Sequence, residues 1–145
     1  MNFKAKILTT FAGLAVASAA MAHDGVKDPT VQARMHLMEE VKNATGVLGG
    51  MAKGSISFDA AQAKSAADSL AASAAAIPAA FEVEATDPAS ESLPVIWTDF
   101  AGFSDKAMAL QAAAEAVDTS SLDGVRAGMQ AVGRSCGGCH KTYRK

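Results

Sequence analysis

The sequence predicts an all-α protein folded as an antiparallel four-helix bundle. Three observations carry that expectation. Aromatic residues make up only 6% of the 145 residues, with one Trp and one Tyr, whereas strands favour aromatic and β-branched side chains. Every long segment repeats its apolar residues at steps of three and four, and none alternates as a strand would. Four such segments of about 20 residues are joined by mostly short connections, an arrangement that packs as a bundle.

The first helix is expected from Pro29 to Ala52. Asp28 can cap it, and Pro29 falls at the first helical position, where its missing N–H does no harm. Val31, Met35, Met38, Val41, Thr45, Leu48 and Ala52 draw one stripe along it, and Gly54 and Ser55 end the pattern. A second helix runs from an Asp59 cap to about Ala80. Twelve of residues 60–80 are Ala, the best helix former, and Pro78 should kink or end it. Residues 82–92 are acidic and turn-rich, the longest connection. The third helix opens at Ser92-Leu93-Pro94, carries Trp97, Phe100, Phe103, Met108 and Leu110, and ends near Val117. Ser120 with Asp123 resembles a capping box for the last helix, 121–143.

Residues 1–22 read as a cleaved signal peptide: Lys4 and Lys6, then an apolar run, then Ala20-Met21-Ala22 before the cut. The run from Ile7 to Ala20 is shorter than the ~20 residues that span a bilayer. Cleavage before His23 leaves one domain, 23–145, exported to the periplasm. A solvated first residue is the simpler reading of His23, with copper chelation the lesser one. The mature chain carries 11 Lys and Arg against 15 Asp and Glu, a net charge of −4. That balance argues against a nucleic-acid groove. It favours partners with basic docking patches.

Five residues from the C-terminus stands Ser135-Cys136-Gly137-Gly138-Cys139-His140. Cys-x-x-Cys-His is the attachment signature of c-type haem. Two thiols three residues apart can add to the vinyl groups on one porphyrin edge, and the next residue offers its imidazole to the iron. Cys136 and His140 share a helix face. A thioredoxin-like dithiol would need an α/β context, which is missing. Structural zinc wants four ligands, and only His23 and His36 could add to this cluster. A disulfide would strain a helix at this spacing and leave His140 unexplained.

A haem motif on the last helix of a bundle, continued as Lys141-Thr142-Tyr143-Arg144, resembles the class II c-type cytochromes, the cytochrome c-prime family. Arg34 with the stripe after it, Gly49 to Gly54 and Leu93 to Trp97 match in order and spacing. The resemblance covers the mature chain and implies one covalent haem c near one end of the bundle. It implies Cys136 and Cys139 as thioether anchors and His140 as the proximal iron ligand. Family members differ at the distal side, where a subgroup supplies Met from the first helix. Met38 stands at that position, one turn after Arg34, with Met35 and Leu37 as rivals for the distal face.

His36 should face solvent, and Met51, Met108 and Met129 are read as packing. Arg34 is a candidate partner for a haem propionate, against the blander reading of an exposed charge. Arg144 resembles the family's basic residue near the proximal histidine, or caps the last carbonyls. Tyr143 and Trp97 read as core or haem-edge packing. The expected function is a soluble electron carrier, not an enzyme, exchanging electrons with periplasmic redox proteins as a monomer or homodimer. A five-coordinate protein that binds nitric oxide is the alternative.

Overall fold

The computed structural model describes residues 25–145. The expected leader and His23 lie outside the described residues. Five helices follow: α1 Pro29–Lys53, α2 Ala60–Phe81, α3 Val95–Thr98, α4 Phe100–Glu115 and α5 Leu122–Tyr143. The four long ones form a ring in which α1 packs on α2 and α5, and α4 packs on α2 and α5. This is an all-helical four-helix bundle.

Local chemistry sets the helix ends. Asp28 accepts from the N–H groups of Thr30 and Val31 at 2.8 and 3.0 Å, which satisfies two of the donors a helix start leaves unpaired. Gly54 closes α1 with φ 80°, a left-handed conformation costly for any residue with a Cβ. The Ser55 N–H then reaches Gly50 O and the Gly54 N–H reaches Met51 O, the paired bonds of a Schellman stop. Asp59 caps α2 through Gln62 N at 2.7 Å. That helix continues through Pro78 to Phe81, so the proline does not end it.

Two boundaries differ from the expectation. The third helix is not continuous: the chain breaks at Asp99 (φ −129°, ψ 50°). The Asp99 carboxylate turns back to cap α4 at Gly102 N, 3.3 Å away. It also accepts the Tyr143 hydroxyl at 2.6 Å, and a tertiary bond of this kind leaves no periodic trace in sequence. At α5 the cap is Ser121, whose hydroxyl accepts from Gly124 N at 3.0 Å. Ser120 donates instead to Asp118, through its N–H and its hydroxyl, and so belongs to the preceding turn.

The core is made from small helix faces and a few large side chains. Ala63, Ala67 and Ala74 of α2 are buried together with Leu48, Met51, Leu70, Ile96, Val125 and Val132. At one end an aromatic group forms, with Phe81 and Phe103 ring centres 5.0 Å apart and Tyr143 edge-on to Phe103 at 5.3 Å. The chain terminus is fastened there: Leu93 N donates to Tyr143 O and Lys145 N donates to Glu91 O. Those bonds hold the end of α5 against the connection between α2 and α3. Among the described residues, no helix is long and apolar enough to cross a membrane.

Candidate haem site

The expected stripe on α1 divides between two surroundings. Val31, Val41 and Leu48 are buried. Met35, Met38, Thr45 and Ala52 line a cavity of about 1180 Å³ that opens between α1 and α5. Small-ligand pockets span roughly 300–1,000 Å³, so this one suits a large flat cofactor. Its walls also include Ile77, Phe81, Ile96, Phe103 and Leu110. Cys136, Cys139 and His140 line the same cavity from α5. The helix runs unbroken through the motif to Tyr143, which puts both thiols and the imidazole along one wall.

The chemistry of these donors fits covalent haem. Both cysteines are free, not joined to each other. Burial raises the Cys136 thiol above its ordinary range; burial and then the neighbouring Cys136 raise Cys139, against a smaller opposing pull from Lys106. Protonated thiols are poor redox or metal-binding thiolates, which argues against the dithiol and zinc readings. His140 sits at the exposed rim of the cavity. Desolvation of its inner edge, then the charge of Arg144, lower its affinity for a proton. The imidazole is thereby held neutral, the form that ligates iron. Arg144 is itself paired with Glu91. No group of three or more His, Cys, Asp or Glu side chains able to hold a bare metal ion occurs among the described residues.

The α1 residues fall into place unevenly. Met38 and Met35 both reach the cavity, whereas Leu37 is packed against the core. His36 is exposed. Met51 is fully buried, and Met129 is half-buried beside the cavity. Met108 is not packing at all, at 61% exposure on the outside of α4. Trp97 packs against the core and donates its Nε1–H to Phe81 O at 2.9 Å. Tyr143 is buried in the aromatic group.

Arg34 is neither an exposed charge nor positioned as a carboxylate partner. It is 3% exposed, and each guanidinium nitrogen donates to a backbone carbonyl after or at the end of α2. Nε reaches Ala80 and Nη1 reaches Ala85, both at 3.0 Å, and Nη2 reaches Val83. Its charge lies over the Phe81 and Trp97 rings, 4.7 and 5.2 Å from their centres. The three carbonyls belong to a segment that has left helical pairing, and a planar fork of donors satisfies them together. Sequence reasoning missed the cations that do stand at the cavity mouth, Lys42 and Lys53. Their i,i+4 and i,i+7 placement around the stripe was the available signal.

A helical bundle with one Cys-x-x-Cys-His motif opening into a cofactor-sized apolar cavity defines a monohaem c-type cytochrome. Residues 29–144 match the family described as Cytochrome C', and the chain belongs to that family, carrying one covalent haem c. It is 40% identical over 144 residues to cytochrome c-554 of Cereibacter sphaeroides, covering 90% of each chain. It is 35% identical over 117 residues to cytochrome c-556 of Agrobacterium tumefaciens, covering 79% of this chain and 95% of that one. A cytochrome c prime from Alcaligenes xylosoxidans, solved as a nitric oxide complex, superposes with a TM-score of 0.69 at 32% identity over 80% of this chain and 94% of that one.

Proposed function

We propose that the protein is an exported electron carrier whose haem iron is held between His140 and Met38. The observation that carries this reading is the meeting of Met38 on α1 with Cys136, Cys139 and His140 on α5 around one cavity. When bound, the haem supplies an iron that takes up and releases one electron between Fe(III) and Fe(II). Cys136 and Cys139 fix it as thioethers on α5. Neutral His140 offers nitrogen, and the Met38 thioether offers a soft neutral sulfur that favours the reduced metal and raises the potential. Filling both axial positions keeps the geometry similar in the two oxidation states, so little reorganisation accompanies transfer. The apolar walls exclude water. Lys42 and Lys53 at the mouth are placed to meet the carboxylates of the cofactor in place of Arg34. The leader 1–22 directs the chain to the periplasm, and partners are redox proteins there rather than a substrate.

Absorption spectra of the haem-loaded protein in both oxidation states, with and without carbon monoxide, test this reading. Low-spin bands with little response to gas are expected, and Met38→Ala should convert them to high-spin bands that respond. An unchanged M38A spectrum would reject Met38 as the ligand; M35A then tests the other sulfur lining the cavity. A second reading, reversible gas binding at an open distal side, is supported by the nitric oxide complex of the Alcaligenes relative. High-spin bands in the unaltered protein that shift with carbon monoxide would put it first.

A further inference from the structure

The net charge of the mature chain is negative, but the charge is unevenly spread. Residues 124–145 contain Arg126, Arg134, Lys141, Arg144 and Lys145 and no Asp or Glu. Two of these cations are neutralised locally, Arg126 by Asp123 at 3.1 Å and Arg144 by Glu91. Arg134 is not, and neither is Lys106 on the facing turn of α4: neither makes an ion pair with a described residue. Both are exposed.

Lys106 and Arg134 flank a shallow groove of about 390 Å³ between α4 and α5, floored by Ala109, Ala113, Ala131 and Gly138. Lys106 and Ser135 line both this groove and the cofactor cavity. The groove is therefore the outer side of the wall that carries the thiols. Its floor is made of the smallest side chains, and a Cβ at Gly138 would meet no atom of the chain within 4 Å. Nothing inside the protein requires that glycine. Met108, on the same helix, leaves an apolar side chain in solvent.

From the charge of its rim, the smallness of its floor and its shared wall with the cofactor cavity, we infer that the α4–α5 groove is the docking face for a redox protein with an acidic surface around its own electron-transfer centre. The local field thus reverses the preference that net charge alone gives, because at physiological salt a docking partner senses charges within about 8 Å and little beyond. Small residues let the partner approach the thioether edge closely. One electron crosses between the two metal centres, oxidising one and reducing the other, with no bond formed or broken. The inference rests on the electron-carrier reading for its purpose, but the surface can be tested by itself.

The test is amide chemical-shift mapping of the haem-loaded protein titrated at low ionic strength with a plant-type [2Fe–2S] ferredoxin, used as an acidic redox probe. Shifts are expected at Ala109, Ala113, Ala131, Arg134 and Gly138, with binding that weakens as salt is added. The double variant K106E/R134E should bind about tenfold more weakly, since steering by local charge commonly changes association tenfold or more. K64E, which reverses a charge on α2, should bind as the parent does. Circular dichroism confirms that these exposed changes leave the fold intact. Shifts clustered on α1 and α2, or a double variant that binds undiminished, would overturn the inference. Mapping to α4–α5 in a protein with high-spin, gas-responsive bands would keep this surface and discard the Met38 ligation instead.

Discussion

Replacing Arg34 with Ala removes a side chain that three backbone carbonyls share. Ala80, Val83 and Ala85 would lose their donors together, and the Phe81 and Trp97 rings would lose the cation lying between them. A hydrogen bond from a charged donor contributes roughly 1.5–3 kcal/mol. The full sum is not expected, because Val83 is exposed and water can reach its carbonyl. A net loss of about 4 kcal/mol follows. Urea unfolding of the haem-loaded protein measures it, and with a slope near 2 kcal/mol per molar the midpoint should fall by about 2 M. Arg34→Lys keeps the charge but only one of the three directions, and should recover about half of the loss. A midpoint within about 0.5 M of the parent would refute the reasoning. If Arg34 served a haem carboxylate instead, its loss would shift the pH dependence of the haem spectrum while the urea midpoint barely moved.

Three further outcomes are expected. Asp99→Ala removes both the α4 cap and the acceptor of the Tyr143 hydroxyl, at about 2–3 kcal/mol by urea unfolding; Asp99→Asn should retain most of that, since an amide oxygen still caps. Tyr143 has its pKa pushed up to about 12, chiefly by donating to Asp99 and then by burial. A group whose folded pKa lies above its unfolded value stabilises fully below the unfolded pKa near 10, and that contribution disappears as pH rises through about 12. Stability of the parent should therefore fall between those values by more than that of Y143F, and equal losses would refute the assignment. Gly54→Ala forces a Cβ into φ 80° and should cost about 1–2 kcal/mol, whereas the same change at Gly46, where a Cβ meets nothing within 4 Å, should be neutral or stabilising.

The sequence by itself determined the helices, their number apart from one break, and the haem motif. Caps such as Asp28 and Asp59, the alanine run of α2 and the spacing of Cys136, Cys139 and His140 are local, and local chemistry is written in neighbouring residues. Tertiary structure decided what depends on segments far apart in the chain. The break at Asp99 arises partly because its carboxylate serves Tyr143, 44 positions away. Arg34 reads as a helix charge until the carbonyls 46 to 51 positions later are brought onto it. Met38 and Met35 belong to one stripe with Val31 and Leu48 in sequence, and only the packing of α1 against α5 assigns some of them to the core and others to the cavity. Periodicity finds the buried face of a helix, but not which neighbour, or which void, that face will meet.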